Sequence, residues 1–533
     1  MVQEVVDVIA DGTPERIGAL SYLVPRGMRV EAGDAVRVPF GRSERVGLVI
    51  GPGNRAVATR PILEVYGRRA RAGELAAMSE LARRHFCPIQ QIAVRVAPRS
   101  GRGAAPLEAD EITIDDATQV RLRELERLEA PPRGRYLLRG PTADPAVIAA
   151  AEATRLASSV EHGQVIVLCP TVSLVSEVRS HFLAGAGRVD SRAEVGAWRG
   201  LVEGTLRIAI GTRSAALYSA DKLAGIVVVE DNHPGHVEDR QPRTHARDVA
   251  RLRTKAARVP LSIIGAHPTP AALTSVVVVP IATKAWPRVR VLDRAQWPPS
   301  EQLVPPNLTK LLNKARAEGH TPVIVTERKQ SIRRCARCGE LRDDNLLCAR
   351  CGSEQVRTSG YDANRLVELL GDDIRAVDAA GLADIHDAGL VVIFDIDAAR
   401  KIPTLIPEEH AAWQIVAGAQ AAGQDGLLVV LTREPDATLL NELCKGRNQV
   451  AVAKRAWAYA KTQGYPPFGR LIQLQVGTPG APRLRGWPGR ILGPRRRGND
   501  WEYLVQIDDD QLETLREPLA RLRRRGKVRI TVS

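Results

Sequence analysis

Long apolar runs are missing from this chain of 533 residues. No stretch approaches the ~18 consecutive apolar residues that a membrane-spanning helix requires. The first residues, MVQEVVDVIADG, carry acidic side chains and lack the basic opening of a secretory signal peptide. We therefore expect a protein of the cytoplasm that has no membrane partner.

Cysteine and aromatic residues are also scarce. The chain has 7 cysteines, and aromatic side chains make up 4% of it. Three of the cysteines, Cys87, Cys169 and Cys444, are scattered along the sequence, which favours small buried side chains over disulfide bridges. A hydrophobic content of 44% is sufficient for packed cores, and the length suits three or four domains.

Acidic residues are outnumbered by basic ones. Lysine and arginine number 76 against 61 aspartates and glutamates, which gives a formal net charge of +15. This excess indicates a polyanionic partner, most often nucleic acid, although a membrane surface or a ribosome would attract the same charge.

Four cysteines form the most specific motif of the chain. Cys335 and Cys338 make one CxxC pair, and Cys348 and Cys351 make a second. Two such pairs can close a tetrahedral shell around one zinc ion. The alternative of two disulfides fits a cytosolic chain poorly. Because four thiolates leave no open position on the metal, the site is expected to be structural or to face DNA, and not to be catalytic.

Strand and helix patterns predict an α/β multidomain protein. Up to about residue 60, short strand-like runs alternate with glycine, proline and charged residues, as in a small β-domain. From about residue 117, apolar strand-like runs alternate with helical patterns, which indicates parallel sheets covered by helices. The expected parts are a small β-domain at 1–62, a winged-helix-like segment and linker at 63–105, a first lobe at 117–290, a second lobe at 291–435 with a zinc-ribbon insertion at 333–353, and a basic C-terminal α+β domain at 436–533.

Several short motifs occur in a fixed order along nearly the whole chain. They are YLVP at 22–25, VRVPFG at 36–41, GTRSA at 211–215, HARDVA at 245–250, YPPF at 465–468 and LGP at 492–494. In this order the motifs resemble primosomal protein N′, the PriA family of replication-restart helicases. The resemblance implies that the two α/β lobes are RecA-like helicase lobes. It also implies that the N-terminal domain binds the 3′ end of DNA.

The resemblance points to residues that hold a DNA 3′ end. Ser21, Tyr22 and Gly41 stand in the family's 3′-end pocket, where an aromatic ring stacks on the terminal nucleotide. Leu20 replaces a phenylalanine of the family, so one stacking surface is lost. The alternative is that Tyr22 fills the core of the β-domain.

The motif expected to bind the nucleotide departs from the family. After the strand-like run RYLLRG, the family has a glycine-rich loop that ends in GKT, whose amides and lysine hold phosphates. Here the loop contains Gly140 and Thr142 but no GKT. Pro141 and Pro145 remove amide donors, and Asp144 adds a negative charge. No nearby lysine replaces the missing one.

Two further helicase motifs are also altered. The family's DEEH box, which holds magnesium, appears here as Glu230, Asp231, Asn232 and His233. Weak magnesium binding there and an idle acidic edge are the two alternatives. The segment 414–424, QIVAGAQAAGQ, lacks both arginines of the family's finger motif. Because one arginine finger contributes about 10³–10⁵ in rate, we expect a pseudo-helicase without useful ATP hydrolysis.

Basic side chains elsewhere are candidates for DNA contact. Arg213 either contacts the DNA backbone or forms a structural ion pair. In the C-terminal part, aromatic residues are interleaved with two arginine clusters, which is typical of phosphate binding, although a solvated charged face is the alternative. The clusters are Arg495, Arg496 and Arg497, and Arg523, Arg524 and Arg525.

The resemblance implies a replication restart protein. Such a protein binds branched DNA at stalled forks, as forked or single-stranded DNA with a 3′ end. It takes part in primosome assembly with primosome proteins, single-strand-binding protein and the replicative helicase that is reloaded. The expected location is then cytoplasmic and nucleoid-associated. The family carries eight cysteines on two zinc ions, so the four cysteines here imply one Zn²⁺. Two alternatives remain: an active ATP-dependent 3′→5′ helicase with a divergent nucleotide site, and a protein-interaction scaffold of the primosome.

Overall fold

A computed structural model provides the three-dimensional structure of this chain. The residues it describes are 4–11, 13, 18–93, 95, 105–189, 195–281, 285–294, 306–326, 332–338, 340, 347–348, 350–359, 363–379, 381–382, 385–401, 405–478 and 480–532.

The N-terminal part is a five-stranded antiparallel sheet in the order β2-β1-β4-β3-β5. Alternate valines, including Val8, Val36 and Val49, point into a small core, as period-2 strands require. The sheet extends beyond the expected border at residue 62, because β5 completes its edge. The strands are β1 (Val5–Ala10), β2 (Leu20–Leu23), β3 (Asp34–Phe40), β4 (Ser43–Pro52) and β5 (Glu64–Arg68).

Two helices connect this sheet to the first lobe. They are α1 (Ala72–Arg84) and α2 (Gln90–Ala93). Met78 and Leu81 of α1 are buried in the same core as the first lobe. Glu74 forms an ion pair of 2.6 Å with Arg253 of the lobe, and both side chains are buried. The segment is therefore docked on the lobe by apolar packing and by one buried charge pair.

The first lobe is a seven-stranded parallel sheet in the order β10-β11-β8-β12-β13-β7-β14. Its central strands are continuous apolar runs, because helices cover both faces. The elements are β6 (Thr113–Ile114), α3 (Asp116–Glu126), β7 (Gly134–Leu138), α4 (Pro145–Ser158), β8 (Gln164–Leu168), α5 (Val172–Ser180), β9 (Phe182–Ala184), β10 (Ala186–Arg188), α6 (Val195–Glu203), β11 (Ile208–Gly211), β12 (Leu223–Val229), α7 (Ala246–Ala257), β13 (Leu261–Gly265), α8 (Pro270–Leu273) and β14 (Val277–Pro280).

The second lobe is a five-stranded parallel sheet in the order β15-β21-β20-β16-β19. An antiparallel hairpin of β17 and β18 is inserted between β16 and β19 and carries the first cysteine of the motif. The elements are β15 (Arg288–Asp293), α9 (Pro306–Ala317), β16 (Val323–Val325), β17 (Ile332–Cys335), β18 (Val356–Ser359), α10 (Ala363–Leu370), β19 (Arg375–Val377), β20 (Leu390–Ile393), α11 (Ile396–Ala399), α12 (Pro407–Ala422) and β21 (Leu427–Thr432).

The C-terminal part contains two helices followed by an antiparallel sheet in the order β23-β24-β22-β25. Leu439, Leu440 and Val452 lie in the core of the second lobe, so the helices α13 and α14 belong to that core although the expected border was at 435. The elements are α13 (Thr438–Leu440), α14 (Gln449–Gln463), β22 (Arg470–Gly477), β23 (Arg490–Arg497), β24 (Asp500–Ile507), α15 (Arg516–Arg525) and β25 (Lys527–Val532).

The expected α/β class with two parallel-sheet lobes is confirmed. Within the described ranges, no helix combines the length and the apolar character needed to cross a membrane.

Candidate nucleotide site, metal centre and nucleic-acid interface

The loop after β7 is where the resemblance places the family's phosphate loop. Its chain leads into α4, whose N-terminal amides would be the phosphate donors in an active site. Here Asp144 is the N-cap residue, and its side chain accepts a hydrogen bond of 2.7 Å from the amide of Ala146. Pro145, the first residue of the helix, has no N–H to offer. The helix end is thus capped by its own carboxylate, which would repel a phosphate.

Arg139 fills the interior of this loop. Its Nη1 donates to the carbonyl oxygens of Gly140 at 2.9 Å, Pro141 at 2.6 Å and Ala143 at 3.0 Å. The residue is 1% exposed. A phosphate loop turns its amides inward around an anion, whereas this loop turns three carbonyl oxygens inward around a cation. The polarity of the site is therefore the reverse of that required for nucleotide phosphates.

The guanidinium group of Arg139 also joins the two lobes. Its Nε donates to Oε1 of Glu230 at 2.8 Å, and its Nη2 donates to Oε1 of Gln420 at 2.9 Å. Glu230 follows β12 with a positive φ of 56°, which a non-glycine residue adopts only where other contacts hold it. Gln420 lies on α12, in the segment where the resemblance would place an arginine finger. The contacts of Arg139 with Glu230 and Gln420 therefore fill the place where, by the resemblance, a nucleotide would lie between the two lobes.

The other acidic residue of the DEEH-like box is also held by an arginine. Asp231 is fully buried, and its Oδ2 accepts from Nη1 of Arg247 at 3.0 Å and from the hydroxyl of Thr269 at 2.8 Å. Burial raises the pKa of Asp231, while Arg247 opposes the shift. Burial likewise raises the pKa of Glu230, and Arg139 opposes that shift. Both carboxylates are thus occupied by guanidinium groups.

The remaining residues of the predicted nucleotide site have structural contacts. The amide of Thr142 donates to the carbonyl of Ala285 at 3.2 Å, in the chain between the lobes. Nδ1 of His233 accepts from the amide of Gly235 at 2.9 Å and begins the 3₁₀ turn Pro234–His236. The structure therefore brings Gly140, Glu230 and Asp231 to one edge of the sheet. Arg139 and Gln420 were missed, although an arginine directly before Gly140 is visible in the sequence.

A half-buried carboxylate of the second lobe lies beside the same edge. Burial raises the pKa of Glu409, at the start of α12, to about 7; Arg247 opposes this shift and Asp231 adds to it. The sequence around Glu409 did not indicate a raised pKa, because Arg247 and Asp231, the charges that act on it, belong to the other lobe.

The four cysteines of the two CxxC pairs converge on one point. Their sulfur atoms all lie within 4.8 Å of one another. The Sγ atoms of Cys335 and Cys351 are 3.4 Å apart, and those of Cys338 and Cys348 are 3.6 Å apart. Tetrahedral ligands at the usual Zn–S distance of about 2.3 Å would be about 3.8 Å apart. The cluster is therefore a possible metal site, and its four soft sulfur ligands and their spacing fit zinc.

Local backbone contacts build this cluster. The amide of Cys335 donates to the carbonyl of Glu340 at 2.8 Å, and the amide of Gly352 donates to the carbonyl of Cys348 at 2.8 Å. Gly352 has φ +69°, a conformation that favours glycine. Backbone amides of Cys338 and Arg337 lower the pKa of the Cys335 thiol to about 6. Amides directed at sulfur in this way are suited to stabilising a thiolate.

The residues predicted to hold a 3′ end lie in the N-terminal sheet. Tyr22 is 3% exposed and its hydroxyl donates to the carbonyl of Pro39 at 3.0 Å, a position that agrees with the core-filling alternative. The hydroxyl of Ser21 donates to Asp7 at 2.5 Å. The carbonyl of Gly41, in the turn between β3 and β4, accepts from Arg60 at 2.8 Å. Ser21 and Gly41 stay near the surface, whereas the ring of Tyr22 is covered.

Arg213 forms an ion pair within the first lobe. Its Nη2 lies 2.5 Å from Asp239, and its Nη1 donates to the carbonyl of Gly235 at 3.1 Å. The residue is half-buried at the start of a 3₁₀ turn. Its position agrees with the ion-pair alternative.

The two C-terminal arginine clusters differ in their surroundings. Arg495, Arg496 and Arg497 are exposed on β23, although Arg497 pairs with Glu502 at 3.2 Å. In the second cluster, on α15, Arg523 donates to the carbonyl of Phe86 at 2.7 Å and links the C-terminal part to the segment after α1. Arg524 is exposed. The side chain of Arg525 lies outside the described part of the structure.

Comparison with known proteins identifies the N-terminal region. Residues 8–98 match the family model of the PriA 3′DNA-binding domain (3′BD). The chain is 28% identical over 255 residues to the probable replication restart protein PriA of Mycobacterium tuberculosis (strain ATCC 25618 / H37Rv), a match that covers 39% of this chain and 38% of that protein. It is 33% identical over 114 residues to the replication restart protein PriA of Chlamydia pneumoniae, covering 20% and 15%. The matches therefore span less than half the length of these relatives.

The comparison with solved structures gives helicases, at TM-scores below 0.5 and low identity. The DUF1998 helicase MrfA bound to DNA matches with a TM-score of 0.34 and 12% identity, over 67% of this chain and 56% of that one. The Mycobacterium smegmatis helicase Lhr bound to ssDNA and AMP-PNP matches with a TM-score of 0.32 and 11% identity, over 64% and 50%. The N-terminal region is thus identified as a PriA-type 3′DNA-binding domain, and the chain is similar to PriA proteins over the matched segment of 255 residues.

Proposed function

We propose that this protein is a replication restart protein that binds branched DNA at stalled forks and does so without hydrolysing ATP. The observation that carries DNA binding is the match of residues 8–98 to the 3′DNA-binding domain. The net charge of +15 supports it, because phosphate contacts release counterions and supply much of the affinity. The exposed arginines of β23 are the proposed contacts to the DNA backbone.

The absence of hydrolysis is proposed from the state of the loop after β7. Arg139 directs its donors to three carbonyls, to Glu230 and to Gln420, so that none is directed at an incoming phosphate. The inward carbonyl oxygens and the Asp144 cap repel phosphate oxygens. The missing lysine and the missing finger arginines remove the groups that stabilise the transition state.

We further propose that the cysteine cluster holds one Zn²⁺. Cys335, Cys338, Cys348 and Cys351 are the ligands, since their sulfur atoms already have nearly tetrahedral spacing. The ion would fix the hairpin of β17 and β18 and would take no part in a reaction, because no ligand position remains open.

The partners are proposed from family membership. They are primosome proteins, single-strand-binding protein and the replicative helicase, all at the nucleoid in the cytoplasm. Assembly on DNA would follow recognition of the fork by the N-terminal domain and the basic C-terminal part.

Two assays on the purified protein test this function. In a binding titration, a fork with a 3′ end at the branch should bind more tightly than the same fork without it. Both affinities should fall steeply with salt. In a coupled assay with single-stranded or forked DNA, no ATP turnover should be measured. ATP turnover would restore the active-helicase alternative. Failure to bind any fork would leave the scaffold alternative instead.

A further inference from the structure

A concave site lies at the junction of α1, α7 and the C-terminal sheet. It is a cavity of about 540 Å³, separate from the loop after β7. Five arginines line it against two aspartates, so its wall is strongly cationic. These arginines are Arg84, Arg243, Arg247, Arg251 and Arg470.

Three of these arginines have carboxylate partners of their own. Arg84 pairs with Glu80 at 2.6 Å, and Arg470 pairs with Asp509 at 2.5 Å. Arg247 is held by Asp231, as described above. Arg243 is exposed, and its Nε donates a long bond of 3.3 Å to the carbonyl of Glu238.

Arg251 differs from all of them. It lies on α7, one turn after Arg247, and among the residues that the structure describes its guanidinium group has neither a hydrogen-bond partner nor a carboxylate within 4.0 Å. Burial lowers the pKa of Arg251; Asp248 opposes the shift, and Arg84, Arg470 and Arg247 add to it. A partly desolvated guanidinium among like charges is costly unless an anion accompanies it.

The two histidines of this wall, His85 and His245, add no positive charge. Burial lowers the pKa of His85 to about 4 and the pKa of His245 well below its ordinary value. Both rings are therefore neutral near pH 7. The unmatched positive charge of the cavity comes from Arg251 and Arg243.

We propose that this cavity binds a phosphate group, and that the phosphate belongs to the DNA backbone. Arg251 presents several unused donors toward the space, and guanidinium groups bind phosphate oxygens through paired, charge-assisted hydrogen bonds. The choice of DNA as the source rests on the proposed function. The site would guide one strand between the first lobe and the C-terminal part.

The test compares Arg251→Ala with Lys255→Ala. Lys255 is exposed on the same helix and outside the cavity, so its substitution removes the same charge without touching the site. Fluorescence anisotropy with a labelled 3′-ended fork should show a roughly 10-fold loss of affinity for Arg251→Ala, the loss of one charge-assisted hydrogen bond. The slope of log K against log salt should fall by about 0.7–0.9 for that variant. Lys255→Ala should retain the wild-type affinity to within about twofold.

A second arm separates the two sources of phosphate. Calorimetric titration with inorganic phosphate and pyrophosphate is run on the wild type and on Arg251→Ala. Loss of this binding with unchanged DNA affinity would assign the cavity to a free phosphate and overturn the DNA source. Wild-type values for Arg251→Ala in both titrations would overturn the site itself. If the wild type binds no DNA, the proposed function fails, and the phosphate titration still tests whether the cavity binds phosphate. Arg243→Ala, an exposed position, provides a second variant should Arg251→Ala fold poorly.

Discussion

Replacing Arg139 tests whether its contacts in the loop after β7 stabilise the fold. Arg139→Met keeps an apolar side chain of similar length but removes all donors to Glu230, Gln420 and the three loop carbonyls. Breaking a buried ion pair by removing one partner costs about 3–5 kcal/mol, because a buried charge is left uncompensated. For a lobe of this size the melting temperature should fall by roughly 6–20 °C.

The same prediction has an internal control. In the double variant Arg139→Met with Glu230→Gln, no buried charge is left alone, so most of the loss should be recovered. Arg133→Met, at an exposed position just before β7, should change the melting temperature by less than about 2 °C. Calorimetry of the three variants provides the measurement. A single variant Arg139→Met as stable as the wild type would refute the buried inter-lobe contact, and gain of ATP turnover in that variant would refute the inactive loop.

Three further predictions concern other parts of the molecule. Metal analysis should find one zinc per chain, and Cys351→Ser should lose it together with the protease resistance of the β17–β18 hairpin, whereas Cys444→Ser should keep both. Because the folded-state pKa of Glu409 is about 7, above its ordinary 4.5, the folded protein holds this proton more tightly than the unfolded chain. Stability should therefore rise as pH falls from about 7 toward 4.5, and Glu409→Gln should flatten that part of the melting curve against pH. Glu74→Ala should destabilise the protein by about 3–5 kcal/mol through the unpaired Arg253, and an unchanged unfolding midpoint in urea would contradict the docking of α1.

Several features were accessible from short stretches of sequence. The spacing of Cys335, Cys338, Cys348 and Cys351 predicted their convergence, because each CxxC turn places two sulfur atoms side by side whatever surrounds it. Apolar runs such as β8 and β12 predicted parallel strands covered on both faces. The order of the short motifs indicated a resemblance to the PriA family, and the match of residues 8–98 to the PriA 3′DNA-binding domain and the similarity to PriA proteins support it.

Other features depend on residues that the fold brings together from distant positions. The expected domain borders at residues 62 and 435 differ from the observed packing. The strand β5 completes the edge of the N-terminal sheet, and α13 packs into the core of the second lobe. Tyr22 could equally have been a stacking surface or a core side chain, and only the neighbouring strand β3 decided between them.

The sequence by itself determined that the loop after β7 contains no lysine and that four thiols could share a metal. Only the tertiary structure decided which side chains fill that loop. Arg139 meets Glu230 and Gln420 across separations of 91 and 281 residues. Two of the arginines that line the cavity with Arg251 are paired in the same way: Arg470 meets Asp509 and Arg247 meets Asp231, across separations of 39 and 16 residues. The physical reason is that local spacing governs which groups a motif contains, whereas the packing of lobes and sheets governs which charges are buried, which are paired and which are left to a ligand.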